Sequence, residues 1–329
     1  MVFNMIEYKR KLKKFDNLND YETQKGKVMG IPHVVLLEDT NEVIFASKNN
    51  ENEIDYALEF FTIEALEEGT VGIGIPPSAT SLKYRKNNEL WIETSEAIQL
   101  SVVANDTIQI SCVSDSFNNG CSSPFAVSAP FNVKGNIMSL LYGDNFKGQI
   151  DLSGKYEAFL SLFFNCATLQ NAENLILPAT TLADFCYYHM FDGCTSLTTS
   201  PELPATTLAN NCYQNMFFGC TNLTEAPQLP ATTLVNDCYS YMFSICTSLT
   251  TAPQLPATTL ASYCYYEMFR GCSKLRYIKM LATDISATDC LFNWVNGVAS
   301  IGTFVKNANM TSLPSGTSGI PNGWTVENT

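Results

Sequence analysis

The sequence predicts an α/β repeat solenoid, with one short helix and one short strand per 26-residue unit, preceded by a small β-sandwich-like domain. The phrase Leu-Pro-Ala-Thr-Thr-Leu begins at Leu177, Leu203, Leu229 and Leu255, a step of 26 residues. A fixed period of this length is typical of solenoids, in which each unit buries its apolar face against its neighbours. Short β-rich segments at regular spacing occupy the residues before the repeats.

A short helix is predicted where each repeat unit keeps one set of residue types constant. On a helical wheel of about 100° per residue, Leu208, Cys212, Tyr213, Met216 and Phe217 fall on one half. These types barely change among the four copies, whereas the residues of the other half vary. A constant arc beside a variable arc predicts an amphipathic helix whose variable side faces outward.

The stretch that follows each helix predicts a short strand or an extended turn. Residues 223–229 are too few, and too rich in Thr and Pro, to form a helix. Pro204, Pro230 and Pro256 interrupt the backbone hydrogen bonding and lead the chain into the next unit.

The cysteines of the repeats fall into two columns. One column holds Cys186, Cys212, Cys238, Cys264 and Cys290, and the other holds Cys166, Cys194, Cys220, Cys246 and Cys272. Such columns predict ladders of buried free thiols, because free cysteine is among the most buried residue types. Zinc is the alternative, although the chain has no Cys-x2-Cys pair and only His33 and His189 offer nitrogen ligands. Cys112 and Cys121 lie outside the columns, and they either close a loop in an oxidising setting or stay reduced.

The repeats carry the order Phe-x-x-Cys-x-x-Leu at Phe217, Cys220 and Leu223, followed by Leu229-Pro230. This order resembles the BspA-like leucine-rich repeats over roughly the last half of the chain. The resemblance implies a leucine-rich-repeat solenoid used for adhesion or recognition rather than chemistry. The helix-forming stretch departs from the family, since it is longer by a few residues and has Cys where the family often has Ala. The chain also resembles, less specifically, repeat proteins of gut Bacteroides and of the phages that infect them.

Three parts are predicted along the chain. Residues 1–50 form a leader segment with a short helix over 8–15 and a β-hairpin around 38–41, where two apolar runs flank a turn. Residues 51–133 form a β-rich, sandwich-like domain, and residues 134–329 form the solenoid with its N- and C-terminal caps. Strands are expected over 60–63, 70–75, 81–85, 89–93, 98–103 and 107–112.

Charge and hydropathy argue against nucleic acid and a membrane span as partners of this chain. The net charge of −13 argues against a nucleic-acid-binding protein. No apolar run approaches the length of a membrane span, and no signal peptide is seen at the start of the sequence. We expect an extracellular location, on a bacterial surface or a virion, with residues 1–50 attaching the chain to a larger assembly.

The sequence predicts a non-enzymatic recognition or adhesion protein that binds a cell-surface glycan or protein. It contains no motif for nucleophilic, nucleotide-dependent or metal-dependent catalysis, and no cofactor or metal site is predicted. Tyrosine suits such ligands because it combines a flat apolar face with a hydroxyl group. The candidate ligand-binding residues on the variable arc are Phe185, Tyr188, Tyr241, Tyr263 and Tyr266.

Two other surfaces and roles stay open. The opposite, strand-side surface offers Thr198, Thr199, Thr224, Thr250, Thr251, Gln228 and Gln254. A passive shaft or fibre of a phage-like or surface assembly is an alternative function, and so is an enzyme with its site in the β-rich domain.

Overall fold

The computed structural model describes residues 55–329 and, before them, the backbones of three strands. These are β1 (Leu12–Phe15), β2 (His33–Leu37) and β3 (Glu42–Ala46). β2 pairs antiparallel with β3, with Val34 opposite Phe45, which confirms the predicted hairpin. The helix predicted over 8–15 is wrong where the structure describes it, because β1 extends along β2 as a third, parallel strand.

Residues 55–136 form a β-rich region of two sheets. Its strands are β4 (Thr62–Ala65), β5 (Gly69–Ile73), β6 (Leu82–Lys86), β7 (Ile92–Thr94), β8 (Ile98–Val102), β9 (Thr107–Cys112), β10 (Phe125–Val127) and β11 (Phe131–Asn136). One sheet has the order β10-β5-β8, and the other contains the run β11-β4-β9-β6-β7. The six predicted strands correspond to β4 to β9, although the one predicted over 89–93 overlaps β7 only at residues 92 and 93. β10 and β11 were not predicted.

Two neighbouring loops show how the turns of this region are fixed. The hairpin between β6 and β7 turns at Asn87 and Asn88, whose φ angles are 48° and 61°, and asparagine tolerates this left-handed conformation. The Asp106 carboxylate accepts hydrogen bonds from Asn87 Nδ2 at 2.6 Å and from the Val103 N–H at 2.8 Å. It also pairs with Lys86 Nζ at 2.7 Å. Side chains therefore hold these turns in place.

The core of the β-rich region continues into the repeats. Phe61, beside β4, stacks on Phe125 of β10 with ring centroids 5.5 Å apart. Phe125 also stacks on Phe163, at the start of the repeat region, at 5.7 Å. The buried residues of both regions belong to one hydrophobic cluster. The β-rich region and the first part of the solenoid therefore share one hydrophobic core.

β11 links the two regions through backbone hydrogen bonds. It pairs antiparallel with β4 on one side and in parallel with β12 (Leu169–Asn171) and β13 (Leu175–Ile176) on the other. A one-turn helix, α1 (Ser139–Tyr142), follows β11, and a 3-10 turn (Gly143–Asn145) follows α1. The boundary predicted between residues 133 and 134 lies inside β11, so one strand serves both the β-rich sheet and the solenoid.

Each repeat unit is one coil of a β-solenoid, and the helix predicted in every unit is wrong. An α-helix requires each N–H to bind the carbonyl four residues back. In the coil that begins near residue 209, the Cys212 N–H binds Ala209 O, only three residues back. The next amide, that of Tyr213, leaves the segment and binds Cys238 O of the following coil at 3.1 Å. Tight turns cross-linked to the next coil replace the helix.

Every fourth residue of these turn segments is left-handed. In the coil near residue 209 they are Asn211, Asn215 and Gly219, with φ angles of 57°, 58° and 69°. A positive φ at the third residue of a tight turn is the geometry of type II turns. Two buried residues, such as Cys212-Tyr213, therefore alternate with two outward ones.

The opposite side of the solenoid is extended. Its strands are β14 (Thr251–Leu255), β15 (Tyr277–Met280), β16 (Thr303–Lys306) and β17 (Thr325–Asn328), which form a parallel sheet in this order. In earlier coils the corresponding stretch is joined by single bridges, such as that between Asn171 and Thr199. The prediction of a short strand or extended turn is confirmed.

The two cysteine columns are free thiols packed inside the solenoid, as predicted. Cys166 is half-buried, and the other members are buried. Burial raises the pKa of the Cys272 thiol to about 12. In the second column the thiols from Cys194 onward donate to carbonyl groups of the preceding coil, as Cys220 Sγ does to Phe191 O at 3.1 Å. Cys112 is buried and Cys121 is exposed, and both are free, so they do not close a loop.

Equivalent aromatic residues stack along the solenoid axis. The centroid of the Phe217 ring lies 5.3 Å from that of Phe191, with an angle of 1° between the ring planes, and 5.6 Å from that of Phe243, with an angle of 3°. Tyr187 and Tyr213 stack in the same way at 5.5 Å and 10°. Such close-packed, in-register columns explain why these residue types are constant from unit to unit.

On the side of the turn segments, loops cover both the N-terminal and the C-terminal end of the stack of coils. At the N-terminal end, the Phe117 N–H of the β-rich region donates to Ala158 O at 2.7 Å. At the C-terminal end, Trp294 Nε1 donates to Gly319 O at 2.9 Å. These contacts satisfy polar groups at ends where the stack has no further coil.

Candidate binding surface

The side chains at the non-core positions of the turn segments form one side of the solenoid, which we call the turn face; Ser240 and Glu267 are buried within it. Its central members are Asp184, Phe185, Tyr188 and His189; Asn210, Asn211, Gln214 and Asn215; Asn236, Asp237, Ser240 and Tyr241; and Ser262, Tyr263, Tyr266 and Glu267. Because stacked coils are in register, equivalent positions form columns along the axis. One such column runs from Tyr188 through Gln214 and Ser240 to Tyr266.

A first aromatic group, Tyr156, Phe185, Tyr188 and His189, lies at the N-terminal end of the turn face. Phe185 contacts Tyr156 and Tyr188 edge-on, with centroids 5.5 Å apart in both pairs. The centroids of the Tyr188 and His189 rings lie 4.1 Å apart, and the angle between the ring planes is 84°. Tyr156 is 56% exposed, so the group presents ring surface to solvent.

A second aromatic group, Tyr241, Tyr263, Tyr266 and Phe292, lies toward the C-terminal end. Tyr266 is its centre, with ring centroids 5.3 Å from Tyr241, 5.9 Å from Tyr263 and 5.0 Å from Phe292. Tyr263 and Phe292 are 36% and 40% exposed. The chain therefore carries two separate aromatic groups on one face of the solenoid.

Carboxamides separate the two aromatic groups. This amide strip consists of Asn210, Asn211, Gln214 and Asn215, all exposed or half-buried. Asn211 Nδ2 donates to Gln214 Oε1 at 2.5 Å, which fixes both side chains. Each carboxamide still offers donors and acceptors to a ligand, since an amide group can make several hydrogen bonds.

Two acidic side chains on the turn face, Asp192 and Glu267, each contact a basic side chain of the same turn segment. His189 Nδ1 contacts Asp192 Oδ2 three residues along the same turn segment. Three coils later, Arg270 Nη1 pairs with Glu267 Oε2 at 3.2 Å. Both carboxylates are mostly buried, with side chains 11% exposed. Asp184 instead accepts a hydrogen bond from the Asn210 N–H at 2.8 Å.

Two phenols of the turn face, those of Tyr188 and Tyr241, have raised pKa values. Burial, followed by the nearby Cys121 and acidic groups, raises the pKa of Tyr188. Burial and the Glu267 carboxylate raise the pKa of Tyr241 to about 12. Burial also raises the pKa of the Asp237 carboxyl. The two phenols therefore act as uncharged groups that both donate and accept hydrogen bonds.

The structure places all five predicted ligand-binding residues on the turn face, although not on helices. Phe185 and Tyr188 belong to the first aromatic group, and Tyr241, Tyr263 and Tyr266 belong to the second. The sequence reasoning missed three members: His189, which directly follows Tyr188 in the chain, Phe292 and Tyr156. Phe292 follows Tyr266 by 26 residues, so extending the column by one unit would have found it. Tyr156 belongs to a first coil of different length, since Cys166 and Cys194 are 28 residues apart.

The side chains of the strand-side surface differ in exposure, and one of them, Thr198, makes a hydrogen bond between coils. Thr198 Oγ1 donates to Gln170 O of the preceding coil at 3.0 Å. The Thr199 hydroxyl is buried beside it, while Thr224 and Gln228 are exposed. Thr250 and Thr251 are also exposed, at the start of β14. This side has no aromatic group comparable with the two on the turn face in the described residues 55–329.

Within residues 55–329, no group of three or more His, Cys, Asp or Glu side chains is arranged to hold a metal ion. In the same part of the chain, no helix has the length and apolar character needed to cross a membrane. The sequence and the structure match no protein-family model, no curated protein and no solved structure. The resemblance to BspA-like repeats therefore remains a prediction.

Proposed function

We propose that this chain is a non-enzymatic recognition or adhesion protein that presents its turn face to a glycan or protein on a cell surface. The observation that carries the proposal is the pair of exposed aromatic groups on a rigid stack whose interior is constant. Aromatic side chains lose little conformational freedom on binding and bring large contact areas, which makes them effective ligand-binding groups.

The proposed setting is extracellular, on a bacterial surface or a virion, with residues 1–50 attaching the chain to a larger assembly. It is supported by the resemblance of the repeats to BspA-like proteins and by a stack whose outward residues vary while its interior does not. A passive shaft would need the same packed interior, but it would have no ligand for the exposed aromatic groups to bind.

The test is adhesion of the full chain to intact bacterial and epithelial cells. The double variant Tyr263→Ala/Tyr266→Ala is expected to lose most of the adhesion. Tyr277→Ala is the matched control, because Tyr277 is also 36% exposed but lies on β15, on the strand side. Equal adhesion of all three proteins would refute recognition by the turn face and favour the passive shaft.

A further inference from the structure

We infer that the ligand of the turn face is an uncharged, linear oligosaccharide that lies along the solenoid axis and contacts both aromatic groups. This inference rests on the proposed function and specifies the chemistry of its ligand. Three features of the turn face support it: the alignment of the two groups, the pairing of its charges and the chemistry of the strip between them.

The alignment favours an elongated ligand. Tyr188 and Tyr266 occupy the same column, three coils apart. With about 4.8 Å between neighbouring strands, three coils correspond to about 14 Å. A single sugar ring cannot contact both tyrosines over this distance, whereas a chain of several rings can. The column also runs along one direction, which suits a linear polymer.

The charges favour an uncharged ligand. Asp192 contacts His189, and Glu267 pairs with Arg270, so the Arg270 guanidinium already has a carboxylate partner. Asp184 and Asp237 are the remaining acids of the central turn face, and they would repel uronic or sialic acids. An anionic glycan would therefore lose solvation and would have to compete with Glu267 for the Arg270 guanidinium.

The strip between the groups favours a ligand covered with hydroxyls. Carboxamides and protonated phenols both donate and accept hydrogen bonds, as sugar hydroxyls do. Asn210, Gln214 and Asn215 lie between the two aromatic groups, where the middle of the oligosaccharide would run. The ring faces of the aromatic groups would pack against the apolar C–H faces of the end sugars.

Calorimetry with defined oligosaccharides tests the inference. The probes are β-1,4-linked oligomers of glucose, xylose, mannose and N-acetylglucosamine, from two to six units, with hexagalacturonate as the charged comparison. We expect at least one neutral hexamer to bind, its dimer to bind at least tenfold more weakly, and hexagalacturonate not to bind. Tyr188→Ala and Tyr266→Ala should each weaken hexamer binding about three- to tenfold, and Tyr277→Ala should not.

Several outcomes overturn the inference: no neutral hexamer binds, hexagalacturonate binds more tightly, or the dimer binds as tightly as the hexamer. The cell-adhesion assay separates this failure from failure of the proposed function. If adhesion depends on Tyr188 and Tyr266 but the neutral hexamers neither bind nor compete, the ligand is a protein or a different glycan and the proposed function stands. If neither Tyr188→Ala nor Tyr266→Ala reduces adhesion, the proposed function fails as well. Thermal unfolding of each variant verifies that it is folded.

Discussion

The β-rich region and the repeat region accommodate left-handed residues in different ways. Between residues 55 and 136, the non-glycine residues with positive φ are Asn87, Asn88 and Asn105. Asparagine is one of the few residue types that adopt this conformation readily. In the repeats, positive φ occurs at a phenylalanine and even at a β-branched residue, with 59° at Phe185 and 64° at Ile245.

Hydrogen bonds between coils explain the difference. The Phe185 N–H donates to Asn210 O at 3.1 Å, and the Ile245 N–H donates to Arg270 O at 2.7 Å. The neighbouring coil thus enforces a conformation that the side chain itself disfavours. The side chain of a left-handed position is consequently free to vary, and these positions lie on the turn face. The backbone stack that fixes the fold therefore also permits the variation that recognition requires.

The largest expected effect comes from removing a ring of the interior stack. Phe217→Ala should lower the free energy of unfolding by about 3–5 kcal/mol, because Phe217 is fully buried between two parallel rings. Its neighbour Phe218 is half-buried on the outward side, and Phe218→Ala should cost less than about 1 kcal/mol. Chemical denaturation measures both. Equal costs would contradict the division between a packed interior and a tolerant exterior.

The solenoid, its buried cysteines and six of the eight strands from β4 to β11 follow from the sequence, but the turn segments do not. A four-residue repeat drifts by only about 40° per step on a helical wheel. Leu208, Cys212, Met216 and Cys220 therefore stay within a half turn, as a helix would require. The segment is too short for the periods of 3.6 and 4 to separate. Asn211 and Gly219, poor helix formers at outward positions eight residues apart, were the available signal.

The two aromatic groups were predictable only in part, for a related reason. Sequence columns identify which residues point outward, but not how far apart their coils place them. The 26-residue register shows that Tyr188 and Tyr266 share a column. Only the packing of the coils shows which rings come into contact, as those of Tyr266 and Phe292 do at 5.0 Å. The contact of Tyr156 with Phe185 depends on the longer first coil, which the repeat pattern does not describe.

A smaller effect is expected where side chains hold a turn of the β-rich region. Asp106→Asn should lower the free energy of unfolding by about 2 kcal/mol at neutral pH, because it removes a charge from hydrogen bonds with Asn87, Lys86 and the Val103 N–H. Denaturation as a function of pH measures this loss.

The same variant has a defined pH dependence. Hydrogen bonds from Asn87 and Lys86 lower the pKa of Asp106 from 3.8 to about 2. A carboxyl whose pKa is lowered by folding stabilises the protein above its unfolded value, so this contribution is complete above about pH 4 to 5 and is lost as the pH falls toward 2. The difference between the wild type and Asp106→Asn should therefore shrink over that interval. A constant difference would mean that the carboxylate charge does not stabilise the turn.

The smallest effect tests how completely coil stacking overrides the preference of the side chain. Ile245→Gly should raise the free energy of unfolding by about 1 kcal/mol or less, because relief of left-handed strain is offset by the flexibility of glycine in the unfolded chain. Gly219→Ala is the matched reverse change, since residue 219 occupies the same position one coil earlier. A Cβ at Gly219 would lie 3.9 Å from the nearest atoms, in Gly193, so its cost of about 1 kcal/mol would be conformational rather than steric. If both changes leave the thermal stability unaltered, stacking alone decides the backbone conformation. If Ile245→Gly is clearly destabilising, the 37%-exposed isoleucine contributes packing that outweighs its strain.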